Sequence, residues 1–161
     1  MNLLIIDSDI SYVKNLKTLL SKKRNINSIQ TAREFKNISG QDVASSTIIL
    51  FEANAENIKE LKKFNSTYGN GKTKFVALAK ETDEGQLLEA VKTGVSSIIY
   101  KTEKTEFISE ELELVFRGKG SFPANVINDM KDILVTEGEQ DSYRLINIFG
   151  KDIYIRKEKT T

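Results

Sequence analysis

Five times between Leu3 and Phe116 the sequence passes from a short apolar run to a stretch whose apolar residues recur at helical spacing. The runs are residues 3–6, 25–32 (the weakest), 47–51, 74–79 and 97–100. Behind the first, Asp7-Ser8-Asp9 is able to cap a helix in which Ile10, Val13, Leu16, Leu19 and Leu20 recur at helical spacing. Residues 33–38 read as a short helix ended near Gly40. Ile58, Leu61 and Phe64 mark a third helix stopped by Gly69 and Gly71, and Leu87, Leu88 and Val91 a fourth closed by Gly94. Ile108, Leu112, Val115 and Phe116 mark a fifth, ended by Gly118. Strand-then-helix alternation with short connections calls for an α/β fold: a parallel sheet with helices on both faces. Strands buried on both faces must be almost wholly apolar, as four of these five runs are.

In sheets of this kind function gathers beyond the carboxyl ends of the strands. The residues there are Asp7 and Ser8, Glu52, Ala79 and Lys101. Two acids and a lysine are thereby directed to one edge of the sheet. The chain has no cysteine and no histidine, which excludes disulfides, thiolate chemistry, Cys/His metal sites and histidine acid–base catalysis. A single Asp–Glu–Lys cluster offers no nucleophile–base pair, so neither an enzyme nor a cofactor is expected. With 24 basic and 23 acidic residues the net charge is +1, giving no electrostatic case for nucleic acid or an anionic membrane. The chain opens on an apolar strand, without a signal-peptide pattern or an apolar run of about 18 residues, and a cytoplasmic protein is expected.

The segments LLIIDSD, IILFEAN and KFVALAKETDEGQLLEAVKTGVSSIIYK resemble the receiver domain of two-component response regulators, and the likeness spans residues 1–120. It implies a CheY-like, flavodoxin-like doubly wound sheet of strand order 2-1-3-4-5. In that family an aspartate takes a phosphoryl group from a histidine kinase, with magnesium bound by an acidic cluster. Position by position, the resemblance implies a degenerate site. Asp7 and Lys101 keep the family's usual residues. Ser8 stands in place of a metal-binding acid, Glu52 in place of the phosphoacceptor aspartate, and Ala79 in place of the hydroxyl residue that contacts the phosphoryl group. Thr102 replaces a common proline, and Ile98 the usual switch aromatic.

Each replacement has a chemical meaning. Magnesium wants several oxygen ligands in near-octahedral array, and Asp7 with Glu52 is a thin set, so no metal is expected. Glutamate carries its carboxylate one methylene further out, and a misplacement of about 1 Å costs on the order of 100-fold in rate. Phosphotransfer is therefore not expected. A Glu52–Lys101 pair at about 4 Å would attract by on the order of 4 kcal/mol before desolvation, at an effective dielectric near 20. Two readings of Glu52 stand side by side: a fixed charge standing in for a phosphorylated aspartate, or a strand-end residue that merely partners Lys101.

The resemblance also implies self-association through the fourth helix, fifth strand and fifth helix, where Leu87, Glu89, Lys92, Lys104, Glu113 and Phe116 would form the interface. Residues 121–161 are expected to form a C-terminal extension to the receiver-like domain of residues 1–120. Within it RGKGSFPANVINDMKDIL resembles the linker of NarL/FixJ-type regulators, but the 41 residues after Gly120 do not read as their DNA-binding domain. Pro123 suits the first turn of a helix bearing Val126, Ile127, Met130, Ile133 and Leu134. Residues 143–157 alternate around a Gly150-Lys151-Asp152 turn signal and read as a β-hairpin, marginal alone in water. The polar end RKEKTT reads either as a terminus or as a cut through a linker.

Two functions are consistent with these readings. The first is a phosphorylation-independent interaction module that binds a protein partner or a second copy of itself, with no membrane insertion. Degenerate receivers of that kind also occur ahead of the MinD/ParA-like ATPases of pilus assembly, such as TadZ and CpaE. The second, less favoured, is a stand-alone transcriptional regulator reading DNA through the C-terminal hairpin.

Overall fold

The computed structural model describes residues 1–68, 72–80, 84–126, 139–140, 143–148 and 151–156. Strands β1 (Asn2–Ile6), β3 (Ile48–Glu52) and β4 (Lys74–Ala79) carry the most continuous apolar runs and lie in the middle of the sheet. Ile48 through Phe51 have no exposed surface at all. Strand β2 (Ser28–Ala32), with Ser28, Gln30 and Thr31 in its five residues, takes one outer position. β5 (Ser97–Tyr100) takes the other, giving an all-parallel sheet of order β2-β1-β3-β4-β5. This is the doubly wound sheet that the alternation calls for.

Helices α1 (Ile10–Leu20) and α5 (Thr105–Phe116) cover one face, burying Val13, Leu16 and Leu20 beside Ile108, Leu112 and Val115. Helices α2 (Gly40–Ser45), α3 (Ala55–Tyr68) and α4 (Glu84–Thr93) cover the other, around Val43, Ile58, Leu61, Leu87, Ala90 and Val91. Fully burying a Leu or Ile side chain contributes about 1.5–3 kcal/mol, so the two apolar layers account for the sheet's central position.

One expectation needs correction. Gly40 begins a helix rather than ending one: Ser39 and Asp42 form a capping box that starts α2 there, and only a 3₁₀ turn, Phe35–Asn37, precedes it. Phe116 ends α5 as expected, on its exposed side, with 54% of its surface open.

After α5 the chain turns at Gly118 (φ 80°) and returns along the outer edge of β5. Ile98 N–H donates to Ser121 O at 3.3 Å, and Tyr100 Oη–H donates to Asn125 Oδ1 at 3.1 Å. Phe122 packs on the core of α3 and α4, and Val126, in a helical turn at residues 124–126, is 1% exposed within it. The rest of the expected helix, residues 127–134, lies outside the described residues. The hairpin forms as β7 (Tyr143–Ile148) paired antiparallel with β8 (Lys151–Arg156), and a short strand β6 (Glu139–Gln140) adds to β7. Lys151 already pairs with Ile148, so the strands close more tightly than the turn signal suggests.

Candidate functional site

The parallel sheet delivers four of the five singled-out side chains to one place above its carboxyl edge. Asp7 follows β1 and is 2% exposed. Its Oδ1 accepts the Asp9 N–H at 2.9 Å, while Asp9 itself caps α1 by accepting the Tyr12 N–H. The loop is thus shaped by two carboxylates with separate tasks, one capping a helix and the other turned inward.

Glu52 ends β3. Its Oε2 accepts both the backbone N–H of Ser8 (3.1 Å) and the Ser8 hydroxyl (2.8 Å). The extra methylene of glutamate carries the carboxylate across to the β1 loop. Beneath it, Asn57 Nδ2 donates to the Glu52 carbonyl at 2.8 Å, and Asn54 Oδ1 accepts the Asn57 N–H at 2.8 Å. These bonds fix the turn from β3 into α3. Sequence reasoning passed over Asn57, which is 3% exposed; the Asn54-x-x-Asn57 spacing at a strand-to-helix junction is the signal that could have found it.

Lys101 follows β5, and its backbone N–H donates to the Ala79 carbonyl at 2.9 Å. Ala79 contributes that carbonyl, and its side chain is a methyl. The Lys101 ammonium lies 2.6 Å from Asp7 Oδ2 and 3.9 Å from Glu52 Oε1, so its first partner is Asp7 rather than Glu52. At that separation, with both groups buried, the Lys101–Asp7 contact is a tight ion pair. The ammonium also sits 5.0 Å from the centre of the Tyr12 ring, within cation–π range. In the sequence Tyr12 reads only as a helix residue. Burial pushes the Asp7 carboxyl above the usual carboxylate range, against the lowering effect of Lys101 and of the Asp9 N–H; the Glu52 charge adds to the rise.

Tested against a magnesium ion, the donor set does not fit. Asp7 is committed to Lys101, and the oxygens of Glu52 to Ser8 and Lys101. The ammonium of Lys101 already supplies the positive charge between the two carboxylates.

The expected interface residues lie on α4 and at the two ends of α5. Leu87 is a correction: it has no exposed surface and belongs to the core beneath α4. Glu89 pairs with Lys62 (3.4 Å) and Lys92 (3.7 Å) on the surface. Lys104 caps the start of α5 without a side-chain hydrogen bond, and Phe116 is exposed at its end.

No family model matches the chain, and no curated protein matches it. Solved structures do. The isolated receiver domain of RcsB from Salmonella enterica serovar Typhimurium is similar at 14% identity and a TM-score of 0.70, covering 81% of this chain and 98% of that one. A LuxR-family two-component response regulator from an Aurantimonas species is similar at 10% identity and a TM-score of 0.68, covering 83% and 97%. ChrA, a response regulator of a heme-sensing two-component system, is similar at 15% identity and a TM-score of 0.65, covering 86% and 68%. Among the described residues no helix is long and apolar enough to cross a membrane. The chain has the receiver fold of two-component response regulators.

Proposed function

We propose that this chain is a phosphorylation-independent, receiver-like interaction module, neither an enzyme nor a phosphoacceptor, whose partner is a protein or a second copy of itself. The observation that carries the reading is the closure of the site. Glu52 Oε2 accepts two bonds from Ser8, Glu52 Oε1 faces Lys101, and Lys101 is held by Asp7. A carboxylate attacking a phosphodonor would have to give up those bonds, in a site with no hydroxyl at Ala79 to hold the transferred group. The ion-paired cluster instead holds one fixed charge arrangement at the sheet edge. The degenerate phosphoacceptor set of Asp7, Ser8, Glu52, Ala79 and Lys101 then serves conformation rather than chemistry. Residues 121–161 act in this reading as an extension to the receiver-like domain of residues 1–120, and the protein works in the cytoplasm. The pilus-assembly ATPases of the TadZ/CpaE type are one setting for such a module.

Incubating the protein with acetyl phosphate and magnesium and weighing it intact tests the reading. The unaltered chain should show no phosphoryl adduct, whereas Ser8→Asp, Glu52→Asp and Ala79→Thr combined should recover some. A stoichiometric, acid-labile adduct on the unaltered chain would refute it.

A further inference from the structure

Residues 10–33 carry six basic side chains and no acid, in a chain whose net charge is +1. Among the described residues none of the six makes an ion pair. The fold gathers them around one outer strand of the sheet. Val13, Leu16 and Leu20 form the buried stripe of α1, with Tyr12 on one flank and Lys14 and Lys17 on the other. Tyr12 is turned toward Lys101, which follows β5. Lys14 and Lys17 therefore look the other way, over β2 at the opposite edge. Lys22, Lys23 and Arg24 stand before the amino end of β2 and Arg33 at its carboxyl end. Lys23 is half-buried and the other five are exposed. The acids nearest in sequence have local tasks: Asp9 caps α1, Glu34 pairs with Lys36 at 2.7 Å, and Asp42 belongs to the capping box of α2.

The strand inside this basic rim has one side unfilled. Among the described residues β2 pairs with β1 alone. The Ala32 carbonyl faces β1, where it accepts the Asp7 N–H. Alternation along the strand then turns the backbone groups of Ile29 and Thr31 outward. We propose that this edge is the docking site for an extended, acidic segment of a partner protein, which adds to β2 as a further strand while its carboxylates meet the surrounding cations. This assignment rests on the protein-partner branch of the function just given and names the partner's chemistry. The outward amides and carbonyls supply main-chain hydrogen bonds to any extended segment, and the rim of charge supplies the selection. A second copy's β2 would bring the same six cations against these. Nucleic acid fits less well: Tyr12 is the only aromatic residue between positions 10 and 33, and its ring is turned toward Lys101 rather than offered to a base.

Fluorescence anisotropy of a labelled peptide of about ten residues, alternating glutamate with valine and titrated with the full chain, provides the test. Binding is expected without any phosphodonor, weakening as salt rises. Protection from hydrogen exchange should appear at the Ile29 and Thr31 amides. Arg24→Glu with Arg33→Glu should weaken binding by about tenfold or more, and so should Lys14→Glu with Lys17→Glu. All four positions are exposed, and circular dichroism verifies that the variants fold. A peptide with proline in place of every valine cannot pair through its backbone and should bind about tenfold more weakly or worse. Equal binding of the two peptides would show a charge contact without an added strand, and would overturn the proposal. A DNA or RNA oligonucleotide bound more tightly than the peptide, and lost with the same substitutions, would overturn the acidic protein segment as occupant. Peptide binding that appears only once residues 139–161 are removed would show the chain's own hairpin on the edge, and would overturn an outside partner. No peptide binding, on a chain that takes no phosphoryl adduct from acetyl phosphate, would overturn this edge and leave the interaction module standing. Binding that requires such an adduct would overturn both.

Discussion

The Tyr12 ring lies beside the Lys101 ammonium, and its hydroxyl is buried with no hydrogen-bond partner among the described residues. An unpartnered buried hydroxyl costs about 1–3 kcal/mol, while the ring's attraction for the ammonium does not depend on the oxygen. Burial, with the charges of Asp7 and Asp9 behind it, pushes the phenol up to about 12. The folded value lies above the ordinary one, so the resulting stability is present in full below about pH 10 and is lost as pH rises through the raised value. Tyr12→Phe should therefore stabilise the protein by about 1 kcal/mol at neutral pH. It should also remove one source of alkaline destabilisation. Urea titrations of both proteins at neutral pH and at about pH 11 measure the two effects. The residues of the site were legible as strand-end positions; their pairing was not. Whether Lys101 turns to Asp7 or to Glu52 depends on side-chain length and on where the Ser8 hydroxyl points, and strand periodicity contains neither.

At the scale of elements, Glu111 shows how α5 anchors the chain that leaves it. The side chain is 4% exposed, and its Oε1 accepts the Ser121 N–H (2.8 Å) and the Ser121 hydroxyl (2.7 Å), with the Ser97 hydroxyl also at 2.8 Å. Close by, a methyl on Gly120 would lie 1.9 Å from the Ser96 carbonyl oxygen, so only glycine lets the backbone pass. Glu111→Ala would take the shared acceptor from the Ser97 hydroxyl and from the Ser121 N–H and hydroxyl and should cost about 1–3 kcal/mol, freeing the amides of residues 121–126 to exchange, whereas Glu111→Gln keeps an acceptor and should cost less. Thermal melting and hydrogen exchange at Ser121 check both. This anchoring could not be read from the sequence, because a glutamate on a helix reads as a solvated residue until the returning chain is seen against it. The reverse holds at Gly40, where a glycine that reads as a stop sits just inside a capping box.

Across the whole molecule, the parallel sheet and the placement of the core were legible from the apolar runs, whereas the order of the five strands followed only from the resemblance to receiver domains, since strand–helix alternation by itself does not order a sheet. The described core of the sheet closes with Val126. Removing residues 139–161 should accordingly leave the five-stranded sheet folded and melting cooperatively, as monitored by circular dichroism; a loss of the cooperative transition would show the hairpin to be part of the fold. The two outer strands of that sheet are left in different conditions. The backbone beside β5 is occupied by residues 120–122, so no foreign strand can extend the ladder there without displacing them. β2 pairs with β1 on one side only and is flanked by Arg24 and Arg33, cationic groups of the kind that discourage edge-to-edge growth. One edge of the sheet is guarded against aggregation by coverage and the other by charge, and only the second guard weakens when salt is added.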